Sequence, residues 1–166
     1  MSKPVIRRVE QSDEPEWQRL WAAYNAFYGR EGDTALSGEI IETAWMRLLD
    51  GTETVYGVVA ELDGKLIGLG HLIFHRNMIQ IAETCYMQDL FTTVEARGRG
   101  VGRMLMSGIA DMRGERGVCD IYWHTHIGIR TKAIGQRGIF TTGWRKTPSS
   151  PSTAKVLIDC SKAHVA

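Results

Sequence analysis

Arg97-Gly98-Arg99-Gly100-Val101-Gly102-Arg103 alternates glycines with arginines, and its flanks give the pattern a meaning. Upstream, Thr84 to Thr93 is rich in strand-forming residues. Downstream, Val101, Leu105, Ile109 and Met112 fall four, four and three residues apart, which is one face of a helix. A strand therefore runs into a glycine loop, and the loop into a helix. The first N–H groups of a helix have no intrahelical acceptor, and the helix dipole adds partial positive charge there. A phosphate fits such an end, and glycines let the backbone come close to it. Arg97, Arg99 and Arg103 add mobile positive charge. The expectation is a pyrophosphate cradle, against the plainer alternative of a strand-to-helix turn with solvated arginines. Two familiar cradles do not match. The dinucleotide pattern G-x-G-x-x-G begun at Gly98 meets Arg103 at its sixth position, and no Gly-Lys-Ser/Thr run is present.

The elements that must position this loop can be read from periodicity. Val5 to Val9 reads as a short strand. Ser12 or Asp13 is placed to cap a helix with Pro15 in its first turn. Trp17, Leu20, Trp21, Tyr24, Phe27 and Tyr28 line one face of that helix, and Gly29 stops it. Ser37 is placed to cap a second helix, with Ile40, Ile41, Ala44, Trp45, Leu48 and Leu49 on one side. Thr54 to Leu62 and Lys65 to Arg76 are strands joined by Asp63-Gly64, a two-residue link that favours an antiparallel hairpin. Val118 to His124 is a further strand. Its arrangement after Thr84 to Thr93 and a helix predicts a parallel pair with a helical crossover. After His126 the local signals conflict, and only Ala154 to Cys160 reads as a last strand.

The chain has 166 residues, 20 Lys+Arg against 19 Asp+Glu, and a formal charge of +1. That size suits one domain with its own core. A near-neutral balance gives no general attraction to nucleic acid or to anionic membrane. The basic run at Arg97 lacks the interleaved aromatics of a nucleic-acid site. Cys85, Cys119 and Cys160 are odd in number and have no metal or redox spacing, so a reducing compartment, the cytoplasm, is expected. No apolar run is long enough to span a bilayer, and the N-terminus reads unlike a signal peptide.

Arg97-x-x-Gly100-x-Gly102 resembles the coenzyme-A signature of the GNAT superfamily of N-acetyltransferases, Arg/Gln-x-x-Gly-x-Gly/Ala. The strand ending Asp89-Leu90-Phe91, the helix from Val101, the hairpin and the two earlier helices stand where that family has them. The resemblance covers Val5 to His126. It implies an α/β fold: a single domain with a mixed, mostly antiparallel sheet, a splayed parallel pair and flanking helices. Residues 1–126 are the family-like core of the 1–166 domain, and 127–166 are an atypical tail. It implies acetyl-CoA as co-substrate, no metal, and direct attack by a primary amine of a small molecule or peptide. The pantetheine arm is expected along Leu90, Phe91 and Thr92. The pyrophosphate is expected on the N–H groups of Arg97 to Gly102 (Arg97, Gly98, Arg99, Gly100, Val101 and Gly102), with Arg103 beside it. Family members often pair, which leaves a homodimer open.

Other roles follow from position within that frame. Tyr28, Arg30, Glu31 and Asp33 lie where the family's loop faces the acceptor. Glu83 and Asp89 are candidate general bases, acting directly or through water. Their plainer alternatives are a surface charge for Glu83 and a loop-bracing hydrogen bond for Asp89. Tyr86 is a further catalytic candidate, or else a core aromatic. His71 with His75, and His124 with His126, each share a strand face, but no third metal ligand accompanies them. The family's later Asn-x-x-Ala segment and its Tyr, which protonates the leaving thiolate, have no counterpart, since Ile127 to Gly143 contains neither Asn nor Tyr. Divergence, or a shifted reading frame over Trp144 to Lys155, fits this departure. An acyl-CoA-binding protein with little or no transferase activity is therefore the alternative to an enzyme. A nucleic-acid-binding domain comes behind both.

Overall fold

The computed structural model describes residues 2–118, 120–126, 145–148 and 153–158. In chain order the elements are β1 (Val5–Arg8), α1 (Glu14–Phe27), α2 (Gly38–Leu49), β2 (Val55–Leu62), β3 (Lys65–His75), β4 (Thr84–Thr92), α3 (Val101–Glu115), β5 (Asp120–His126), β6 (Arg145–Pro148) and β7 (Thr153–Ile158). The strands form one sheet in the order β1-β2-β3-β4-β5-β7-β6. All neighbours are antiparallel except β4 and β5, which run parallel with α3 between them in sequence. The expected α/β fold, with its mostly antiparallel sheet and one parallel pair, is the observed one.

Local chemistry accounts for the elements. Asp63 and Gly64 both take positive φ, 50° and 77°, the conformation a two-residue hairpin turn demands. Ser37 caps α2 by accepting from the Ile40 N–H. Asp13 departs from the cap expectation. Its carboxylate takes a forked pair of bonds from Arg7, at 2.7 and 2.9 Å, and accepts the Glu10 N–H. It thereby ties β1 to the start of α1 in place of capping the helix. The Arg7 bond, working against burial, holds the Asp13 carboxyl below its ordinary range. Arg145–Pro148 had no strand signal, because its few residues carry no alternation of apolar and polar types. The compositional argument about Ile127 to Gly143 falls outside the described residues, as do Cys119 and Cys160.

The sheet carries a core on each face. On one, Leu72, Phe74, Cys85 and Met87 meet Val101, Leu105 and Ile109 of α3. On the other, Val59, Leu66 and Leu69 meet Trp17 and Leu20 of α1 and Trp45 and Leu48 of α2. Glycines in β3 set how closely α3 approaches. A Cβ at Gly68 would stand 2.9 Å from the Phe91 carbonyl oxygen and 3.0 Å from Leu105 Cδ1. Backbone cannot yield there, so Gly68→Ala is expected to lower unfolding free energy by about 1–3 kcal/mol. Urea unfolding of the variant beside the parent checks this, as a lower midpoint at unchanged slope.

Candidate active site

Two strands that part create the site. β4 pairs with β5 only from Thr84 to Tyr86, opposite Asp120 to Tyr122. β4 continues to Thr92 along β3, and β5 continues to His126 along β7. Among the described residues no strand pairs with Met87 to Thr92 on the β5 side. Peptide groups in a sheet need partners, so this edge suits an extended ligand that carries amide groups. Leu90, Phe91 and Thr92 lie on it.

The edge leads into the glycine loop. Gly98 and Gly100 take φ of 76° and 80°, and Gly100 is the N-cap of α3 without a side-chain cap. Side chains rarely adopt that conformation, so glycine is required at both positions. The Arg97 and Arg99 N–H groups already bond the Val94 and Ala96 carbonyls, at 3.2 and 3.3 Å. Those of Gly98, Gly100, Val101, Gly102 and Arg103 have no hydrogen-bond acceptor among the described residues. The first turn of α3 carries no acidic residue. Arg97, Arg99 and Arg103 are exposed and form no ion pair among the described residues. Free donors, a helix dipole and three exposed arginines share this end of α3. The residues present fit a pyrophosphate.

β4 also carries the charged group of the site, which a bulge puts in place. The register runs His71↔Asp89 and then Leu72↔Met87, so Gln88 is one residue in excess. Without the bulge, Tyr86 and Asp89, three residues apart, would point to opposite faces. With it, both lie on the α1 face, and Cys85 and Met87 on the α3 face. Asp89 is 6% exposed. Its Oδ2 lies 2.8 Å from His71 Nδ1, and the Tyr24 hydroxyl is near enough to the same carboxylate to lower its pKa. His71 Nε2 accepts from Trp17 Nε1 at 2.8 Å. Burial raises the Asp89 pKa, but the bonds from His71, Tyr24 and Gln88 outweigh it and leave the carboxyl below its ordinary range. Burial raises the Tyr24 phenol, and the Asp89 charge raises it further.

The other sequence candidates separate. Tyr86 stacks on Tyr122 at 5.0 Å beside His124, at the point where the strands part, and its phenol is raised by burial, Tyr122 and Asp89. Tyr28 packs edge-on against Tyr24 at 5.0 Å and joins the Asp89 group through it. Arg30 donates to Asn25 Oδ1, and Arg30 and Glu31 line a pocket of about 430 Å³ between α1 and the chain that leads to α2. Asp33 sits in the turn beyond it. Glu83 pairs with Arg116 at the C-terminal end of α3, where Arg116 also bonds the Tyr56 hydroxyl. A helix of 15 residues spans about 22 Å, and that length separates Glu83 from the cradle. Sequence reasoning missed His71 and Trp17 as members of the site. The period-2 placement of His71 was legible, but its partner on a distant helix was not. Among the described residues no three His, Cys, Asp or Glu side chains are grouped to hold a metal ion, and no helix is long and apolar enough to cross a membrane.

Comparison with known proteins agrees with this geometry. The family model for the acetyltransferase (GNAT) family matches residues 11–135. D-amino-acid N-acetyltransferase HPA3 of Saccharomyces cerevisiae is 32% identical over 141 residues, covering 83% of this chain and 85% of that one. The crystal structure of the PaiA N-acetyltransferase of Thermoplasma acidophilum in complex with coenzyme A superposes with a TM-score of 0.65 at 16% identity, covering 96% and 99% of the two chains. An aminoglycoside acetyltransferase from an uncultured soil metagenomic sample, in complex with sisomicin, superposes with a TM-score of 0.65 at 17% identity, covering 86% and 95%.

Two substitutions probe the cradle and the buried carboxylate. Arg97→Glu is expected to weaken coenzyme A at least about tenfold by calorimetry, since it turns an attractive charge into a repulsive one. Asp89 adds stability that is complete above its unfolded value of about 3.9 and is lost as pH falls through its lower folded value. Asp89→Asn is therefore expected to make stability less steep below about pH 4, as acid unfolding followed by circular dichroism will report.

Proposed function

The chain belongs to the GNAT family of acetyltransferases, enzymes that use acetyl-CoA, and from that premise we propose that it moves the acetyl group to a primary amine by direct attack. The observation that carries the proposal is the β4 edge from Met87 to Thr92, which has no strand partner on the β5 side among the described residues and runs from the glycine cradle to a buried carboxylate. Leu90, Phe91 and Thr92 would hold the pantetheine arm through backbone groups. Gly98, Gly100, Val101 and Gly102 would hold the pyrophosphate through N–H groups, with Arg97, Arg99 and Arg103 around it. Acetyl-CoA would supply an activated thioester carbonyl, and a backbone N–H of the β4 edge is our candidate to polarise it.

Asp89 is our candidate for the group that accepts the amine proton. Its lowered pKa makes it a weak base towards a free ammonium ion. Its turn comes after the nitrogen has bonded to carbon and carries a far more acidic proton. Tyr86, whose raised pKa keeps its hydroxyl protonated at neutral pH, is our candidate donor to the departing sulfur. Glu83 is engaged with Arg116, which favours a structural role for it. Cys85 supports direct attack over an acyl-cysteine route. Burial, eased by Arg113 and Arg116, pushes its thiol up to about 12, and it lies on the α3 face. Such a thiol is not a nucleophile at neutral pH.

For the acceptor we infer the α-amino group of an amino acid. The yeast relative is named for D-amino acids, and Arg30, on the pocket wall and bonded to Asn25, would have N–H groups left for an acceptor carboxylate. Tyr28, Glu31 and Asp33 complete the acceptor-side group that we assign. The aminoglycoside complex among the structural neighbours makes a polyamine sugar the second class to assay.

Release of free thiol from acetyl-CoA, measured over D- and L-amino acids, polyamines and aminoglycosides, tests the proposal. We expect turnover with amino acids, and a loss of about a hundredfold in kcat for Asp89→Asn at unchanged acetyl-CoA affinity. Tight acetyl-CoA binding without thiol release from any amine would instead support an acyl-CoA-binding protein.

A further inference from the structure

Trp17, His71 and Asp89 form a buried line of hydrogen bonds across α1, β3 and β4, and Tyr24 of α1 lies near enough to act on the carboxylate. An indole N–H is a donor and nothing else. Its 2.8 Å bond to His71 Nε2 obliges that nitrogen to present its lone pair. The ring proton is therefore on Nδ1, which donates to Asp89 Oδ2 at 2.8 Å. A second proton on Nε2 would meet the Trp17 N–H head-on. The two bonds together fix the ring in one tautomer, although it touches a carboxylate. Trp17 is 1% exposed and His71 6%, so water does not compete for these bonds.

The carboxylate is unusual in what surrounds it. The groups that set its charge are His71 from β3, Tyr24 from α1 and Gln88 beside it on β4, without a lysine or arginine among them. Tyr86 lies along the same strand within reach of its field, and Tyr28 stands behind Tyr24. A buried carboxylate without a cationic partner stays ionised only while neutral donors bind it.

We propose that His71 is a positioning residue for acetyl transfer: the Trp17 bond makes it a permanent N–H donor that keeps Asp89 ionised, aimed, and unable to pass a proton into the ring. This rests on the reading of Asp89 as the proton acceptor. A proton that reaches Asp89 from the amine nitrogen is then given up by the carboxyl before the next turnover. The step is a proton transfer alone: N–H breaks, O–H forms, and the carboxyl returns to carboxylate when the proton departs.

The tautomer can be read without turnover. Long-range nitrogen–proton NMR on the labelled full chain at neutral pH should show His71 protonated on Nδ1 alone, with the Nε2 lone pair facing Trp17. A ring that carries a proton on Nε2 overturns the proposal whatever the enzyme acetylates. The carboxyl carbon shift of Asp89 supplies the second readout. Its midpoint should move to higher pH in His71→Leu and return towards the parent in His71→Asn, whose amide N–H can occupy the place of Nδ1. On an amine that is turned over, kcat/KM per free amine should fall about tenfold in His71→Leu, the size of one lost hydrogen bond to a charged group. Its acidic limb should shift upward with the Asp89 midpoint, and His71→Asn should recover most of both. An unmoved limb, or an asparagine variant no better than leucine, contradicts the positioning role. Where a variant does not fold, the tautomer of the parent decides the question.

Discussion

A peptide group taken out of water must find a hydrogen-bond partner, and among the described residues the second half of β4 is where that requirement stays open on one side. β3 satisfies one side of the strand along its length, and β5 satisfies the other only as far as Tyr86. Beyond that point β5 turns its pairing to β7. The other features of the site are arranged around the resulting opening. The glycine loop begins where the unmet edge ends, Asp89 lies along it, and the Tyr86–Tyr122 stack closes its base.

Holding such an opening requires rigid surroundings. α3 is pressed onto β3 and β4 by Val101, Leu105 and Ile109, at a separation that Gly68 and Gly70 permit. Its N-terminus thereby points at the end of the edge with its donors uncapped. On the opposite face, α1 is fixed both by apolar packing and by the Trp17–His71–Asp89 line, which crosses from helix to sheet. The same bonds that brace the layers set the charge of the site. Stability and chemistry are coupled there, because a buried carboxylate is tolerable only when its donors are in place.

Much of this was legible in residue order. The Asp-Gly hairpin, the apolar faces of the helices, the parallel pair and the glycine cradle all follow from local spacing, and local spacing is what periodicity reports. Three features were not. The extra residue at Gln88 changes which face Asp89 occupies, and simple alternation along Thr84 to Thr92 cannot reveal it. Asp13 looked like a helix cap, but its partner Arg7 lies on a strand before the helix, so a tertiary bond replaced a local one. His71 carried no signal beyond its strand face, because Trp17 stands 54 positions away. Each miss is a contact between elements, which composition and period do not encode.

Amide hydrogen exchange with and without coenzyme A tests the central claim most directly, since it reads the unmet edge itself. Exchange should slow on binding at the amides of Met87 to Thr92 that face away from β3 and at Gly98, Gly100, Val101, Gly102 and Arg103, while amides of Thr84 to Tyr86, already in a ladder on both sides, should change little. Binding with protection elsewhere, and none on that edge, would contradict the account.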